Sequence, residues 1–167
     1  IKSVKQGKVE NKMPKDTDLH KCAYKGDKRN VKRLIETERM NPDEPGSNGR
    51  TPLQRACSAG KDEVVDYLLN HGADPNKADM SGRTALHYCA ISGFKSSAEM
   101  LLNHGTEVNA TTKSGATALH FASESTQLAF VEMLLSRPGV DRNLKDRDGK
   151  TALDFAKESK NKPLIKA

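Results

Sequence analysis

Three cysteines, Cys22, Cys57 and Cys89, and three of the five histidines, His20, His87 and His120, are the side chains in this 167-residue chain best equipped for chemistry. Thiolates and imidazoles together suggest zinc, but neither Cys-x-x-Cys nor His-Glu-x-x-His occurs, and His87 and Cys89, two apart on a helix, do not share a face. Asp146-Arg147-Asp148-Gly149 has the ending of a calcium-binding loop. An EF-hand, however, would need an acid where Leu144 stands and Glu where Phe155 stands. Asn109-Ala110-Thr111 fits the N-glycosylation pattern, yet nothing else indicates secretion. There is no phosphate-cradling glycine loop and no Gly-x-Ser-x-Gly elbow. The expectation is a protein that is not an enzyme and has no metal, cofactor or catalytic set.

The elements that position these residues explain them better. Thr17-Asp18-Leu19-His20, Thr51-Pro52-Leu53-Gln54, Thr84-Ala85-Leu86-His87, Thr117-Ala118-Leu119-His120 and Thr151-Ala152-Leu153-Asp154 begin 34, 33, 33 and 34 residues apart. A period of this size decides the architecture before any local motif does. In that register Cys22 and Cys89 occupy the position of Ala56, Ala122 and Ala156, and Cys57 that of Ala23, Ala90 and Ser123, so all three read as small buried hydrophobes. His20, His87 and His120 share a position with Gln54 and Asp154, which points to a hydrogen-bonding role inside each unit.

Each unit reads as two short antiparallel helices and a loop. The Thr is an N-cap, Pro52 suits a first helical turn, and Gly26, Gly60 and Gly93 permit the left-handed residue that ends the first helix. A second helix follows with apolar positions at helical spacing: Val31, Leu34, Ile35; Val64, Val65, Leu68, Leu69; Leu101, Leu102; Val131, Leu134, Leu135. Gly72 and Gly105 stop it. Stretches such as Ala73-Asp74-Pro75-Asn76 to Asp79-Met80-Ser81-Gly82 carry the turn chemistry of a projecting hairpin loop.

Thr-Pro/Ala-Leu-His, small residues, Gly, a Val/Leu-rich helix and then Gly-Ala-Asp-Pro-Asn resemble the ankyrin repeat, in register over about residues 16–165. The resemblance implies an all-α repeat solenoid of stacked helix pairs with hairpin loops at right angles. It also implies a concave groove lined by first helices and loop tips, and loop asparagines such as Asn76, Asn109 and Asn143 that an asparagine hydroxylase could modify. The repeat domain is expected over 16–167, with about five repeats near 17–50, 51–83, 84–116, 117–150 and a partial 151–167. The loops at Glu38–Pro42 and Arg137–Asp141 carry one extra residue and are expected to be reshaped. Lys157, Glu158, Lys160, Asn161 and Lys162 make the last unit polar, as a terminal cap must be. Residues 1–15 are either a basic linker or the remnant of a preceding helix.

Composition agrees with a thin stack. Aromatic residues are 4% of the chain, tryptophan is absent and 30% of residues are charged, so small and aliphatic side chains must supply the core. No apolar run reaches the roughly 20 residues of a membrane span, so the chain reads as soluble and most simply a monomer. The odd cysteine count points to a reducing compartment, cytoplasm or nucleus. The chain is also expected to extend at both ends in its natural form. The net charge of +6 sits at the termini: residues 1–17 carry +3, 18–50 and 151–167 each +2, and the units between carry −1, 0 and 0. Specific nucleic-acid binding is therefore not expected, although a basic surface for nucleic acid or anionic lipid is the alternative to a protein-binding groove. The cations Lys28, Arg29, Lys32 and Arg33 read as one solvated helix face.

The groove that the resemblance implies can be assigned residue by residue. Positions four, seven and eight after each Thr lie on one helical face. They hold Arg55, Ser58 and Ala59; Tyr88, Ile91 and Ser92; and Phe121, Glu124 and Ser125. Loop tips add Met80, Ser81, Arg83, Lys113, Ser114, Arg147 and Asp148. An isoleucine at a position usually polar, between Tyr88 and Phe121, makes either an apolar binding strip or the exposed edge of a core.

Overall fold

The computed structural model describes residues 14–166. Residues 14–17 precede the first helix without regular structure, and the rest of the expected linker or helix remnant lies outside the described residues. Ten α-helices follow in five pairs: α1 (Asp18–Lys25) with α2 (Lys28–Glu36), α3 (Pro52–Ser58) with α4 (Asp62–Asn70), α5 (Ala85–Ser92) with α6 (Lys95–Asn103), α7 (Ala118–Glu124) with α8 (Leu128–Leu135), and α9 (Ala152–Glu158) with α10 (Lys162–Lys166). Among the described residues there is no strand. First helices pack in series on first helices and second on second, which makes the chain an all-α solenoid. No described helix is long and apolar enough to cross a membrane.

Each first helix starts for the reason its sequence suggests. Thr17, Thr51, Thr84, Thr117 and Thr151 are extended N-caps, and each forms a reciprocal capping box with the residue three positions on. The box satisfies two of the backbone donors that a helix start leaves open. About two turns later the chain reverses through a left-handed residue: Gly26, Gly60 and Gly93 in the first three units, but Thr126 (φ 56) and Lys160 (φ 55) in the last two. Side chains with a Cβ are strained there.

The loops lock to one another. Met80 N–H donates to the Asn48 carbonyl at 3.0 Å, Lys113 N–H to that of Ser81 and Arg147 N–H to that of Ser114, both at 2.9 Å. This approach is close enough to demand glycine: a Cβ on Gly82 (φ +79) would lie 2.8 Å from the Lys113 nitrogen. The two loops with an extra residue differ as expected. The first contains a 3-10 turn at Ser47–Gly49 and places Arg39 at φ 57, and the fourth uses Gly139 at φ 83.

The core runs between the two helix layers. Leu19, Leu53 and Leu86 are at most 1% exposed and Leu119 is 5%, but the equivalent Leu153 is 44% exposed. The polar last unit thus covers the stack only in part. Leu153 and Ile165 border an open cleft of about 240 Å³ lined by Leu119, Val131, Leu135 and Leu164. Cys57 and Cys89 are fully buried, as small hydrophobes should be, whereas Cys22 is only half-buried. The first helix has no preceding described helix against it, so the same position is partly open to water there.

Candidate functional site

His20, His87 and His120 are structural, and they position the surface that matters. The backbone N–H of Thr84 donates to Nδ1 of His87 at 3.0 Å, so Nδ1 is an acceptor and the proton sits on Nε2, which donates to the Ala116 carbonyl at 3.3 Å. His20 and His120 repeat this with the carbonyls of Arg50 (3.0 Å) and Lys150 (3.1 Å). Gln54 does it with an amide: Oε1 accepts from Thr51 N–H, and Nε2 donates to Lys77 and Arg83 carbonyls at 2.8 and 3.0 Å. Both ring nitrogens are committed to the neutral form. Burial holds His87 down to about 4, against a weaker upward pull from the Ala116 carbonyl, and lowers His20 likewise. The hydrogen bonds therefore stay inside each unit, as the shared position suggests, and pin its last residue, the one before the next Thr.

That residue reaches across the groove to the side chain four residues after the second Thr that follows it. Asp16 pairs with Arg55 at 2.6 Å. The Arg50 guanidinium lies over the Tyr88 ring at 5.1 Å, and that of Arg83 over Phe121 at 5.3 Å. Ala116 is too short to continue the series, and Phe155 is covered instead by Lys150, the residue just before its own Thr, at 5.3 Å. Each cation–ring contact contributes about 0.5–1 kcal/mol where it is partly wet. The outcome is a diagonal row of charge over aromatic rings on the face made by first helices and loop tips.

Among the described residues, neither Arg50 nor Arg83 has a carboxylate in ion-pair range, whereas Arg55 and Lys150 are engaged by Asp16 and Glu158. Asp79, nearly buried, accepts from the backbone N–H of Ser81 (2.8 Å) and Arg83 (2.9 Å) and from the Tyr88 hydroxyl at 2.5 Å. Burial raises the Tyr88 pKa and the Asp79 carboxylate raises it further. Burial alone would raise Asp16, but its bonds from Arg55 and Ser47 outweigh that and hold it below the ordinary carboxylate value.

The residues assigned from sequence fall into three groups. Tyr88 is 6% exposed, so it is core with a covered edge, and Phe121 is half-buried with its edge toward His87 at 5.8 Å. Ile91 is half-buried yet, unlike Phe121, does not pack on the hydrophobic core. Ser92, Glu124 and Ser125 at the ends of α5 and α7, and the loop residues Met80 (47% exposed), Ser81, Lys113, Ser114, Arg147 and Asp148, present themselves to solvent wholly or in part. Arg50, Lys150, Asp16 and Asp79 escaped the sequence reading. The signal was available, because Arg50 and Lys150 share with Arg83 the position before the Thr.

Among the described residues no group of three or more His, Cys, Asp or Glu side chains is placed to hold a metal ion. The family model described as ankyrin repeats (3 copies) matches residues 19–112 and 77–146. Period, capping, loop ladder and sequence match converge, and the chain belongs to the ankyrin repeat family.

Proposed function

We propose that this chain is a non-catalytic module that holds a partner protein or peptide in the concave groove formed by its first helices and loop tips, as the targeting or scaffolding part of a larger protein. Ankyrin repeats are in general protein–protein interaction modules. The observation that carries the reading is Ile91: an apolar side chain at mid-groove that contributes nothing to the core, with Met80 exposed on a neighbouring loop tip. Apolar groups held on a rigid face without a packing role mark contact surfaces. The module acts as a monomer in a reducing compartment, in keeping with two fully buried free thiols.

The basic alternative is weaker because the cations of α2 are partly answered in place. Lys32 faces Glu36 at 3.9 Å, Lys28 faces Glu63 at 3.8 Å, and Arg33 bonds Glu38. Binding of DNA, RNA or anionic lipid through this face would be loose and lost at moderate salt.

The test compares two charge changes in affinity capture from cell extract. Ile91→Glu should leave stability within about 0.5 kcal/mol, as surface changes do, and abolish capture of the partners bound by the wild type. Lys32→Glu should change neither. Normal capture by Ile91→Glu together with loss by Lys32→Glu would move the function to the outer helical face.

A further inference from the structure

The groove contains two cations prepared for a ligand that the protein itself does not supply. Arg50 and Arg83 occupy equivalent positions in successive units, each fixed from behind by a bond to its carbonyl from His20 or Gln54 and from below by an aromatic ring. Elsewhere in the same row the charge is already answered, by Asp16 for Arg55 and by Glu158 for Lys150. Nε of Arg50 is covered and has no acceptor within the protein. Holding a guanidinium over a ring restricts its rotamers, which lowers the cost of binding a planar, bidentate acceptor.

We infer that the groove selects an extended acidic peptide segment whose carboxylates, three residues apart, pair with Arg50 and Arg83. This rests on the groove reading above. The spacing follows from two repeats of geometry: adjacent packed helices stand about 8–10 Å apart, and a peptide in the polyproline II form advances about 3.1 Å per residue with about three residues per turn, so every third side chain returns to the same face at the next unit. A peptide is favoured over a nucleic acid because units 51–83, 84–116 and 117–150 carry net charges of −1, 0 and 0. Two local cations over a neutral background suit discrete carboxylates and give a polyanion little general field to follow. Glu124 and Asp148, exposed at the other end of the same face, disfavour a longer acidic run and so limit the acids to this part of the groove.

The experiment is a selection of displayed random peptides on the full chain, followed by affinity measurement of survivors against Ile91→Glu, Arg50→Gln, Arg83→Gln, Arg83→Lys and Lys32→Glu. Thermal melts confirm that each variant is folded. The inference expects survivors enriched in Asp or Glu at three-residue spacing. These should bind about ten-fold or more weakly to each Gln variant, the effect of losing one charge-assisted bond. Arg83→Lys should fall between, since it keeps the charge without the planar fork. Survivors that depend on Ile91 but lack acids and ignore both Gln changes overturn the inference and leave the groove reading standing. Survivors indifferent to Ile91→Glu and lost on Lys32→Glu overturn both, as does a library without binders. A single-stranded oligonucleotide that binds through Arg50 and Arg83 where no acidic peptide does also overturns it.

Discussion

The third and fourth units occupy equivalent positions in the stack and are built from the same plan, yet they meet its most demanding backbone position differently. Gly93 turns the chain between α5 and α6 at φ 78, where a Cβ would strike the Gln127 side chain at 2.6 Å. Thr126 makes the equivalent turn between α7 and α8 at φ 56 with a β-branched side chain. Farther along, Lys160 repeats the strain and Leu153 loses the cover that Leu86 has. Position in a repeat therefore says what a residue must do, while its type says how well it does it. The front of the stack is well supplied and its end is not.

The largest expected effect lies in the core. Leu68→Ala, fully buried in the second unit, should cost about 3 kcal/mol in urea denaturation. Leu164→Ala should cost clearly less although Leu164 is only 3% exposed, because α10 is five residues long and can open without the rest. Equal losses would show that the end is as integral as the middle.

Acid should separate the units next. The His87 pKa lies below its unfolded value of 6.5, at about 4, so its contribution is complete above pH 6.5 and is lost as pH falls toward 4. By pH 5 the loss from this group is about 2 kcal/mol, and His20 adds to it with the same sign. Gln54 does the same work with an amide that does not titrate, so His87→Gln should hold stability at pH 7 within about 1 kcal/mol and flatten the curve between pH 6.5 and 4. An unchanged slope in that variant would exclude His87 as its source.

Thr126→Gly should then stabilise by about 1 kcal/mol by relieving the left-handed turn, and the reverse change, Gly93→Thr, should destabilise by more. If melting temperatures move little in either case, the two units differ in sequence only. The smallest effect belongs to a loop. Asn76 and Asn109 each accept from one backbone N–H and donate to the Gly105 or Gly139 carbonyl, whereas Asp43 in their place accepts from Asp74 N–H and has no proton to give. Asp43→Asn should gain about 0.5–1 kcal/mol at pH 7. Burial raises the Asp43 pKa against the opposing pull of its bond from Asp74 N–H, so the gain should shrink in acid, where the protonated carboxyl can donate for itself.

The repeat made most of the fold legible. Caps, helix pairs and loops followed from Thr, Gly and the apolar spacing because these choices are local to one unit. Long-range contacts were harder to read. That Arg83 covers Phe121, or that Asp16 pairs with Arg55, depends on the offset between neighbouring units, which no single unit contains. For the same reason Arg55 looked like a free groove residue until Asp16 was found against it, and Tyr88 proved more buried than its helical face suggests. Cys22 differed from Cys89 only because one end of the stack is open.

The diagonal contact between the residue before one Thr and the ring four residues after the following Thr makes the groove a product of adjacency. Excising residues 84–116 would leave Arg83 directly before Thr117, with Arg50 brought over Phe121 and Arg83 over Phe155, so two cation–ring pairs would survive in a shorter protein. Excising residues 51–83 instead would set Asp16 against Tyr88 and exchange an ion pair for a carboxylate beside a phenol. Duplication and loss of whole units can therefore rewrite recognition one juxtaposition at a time, without altering a single codon inside the units that remain.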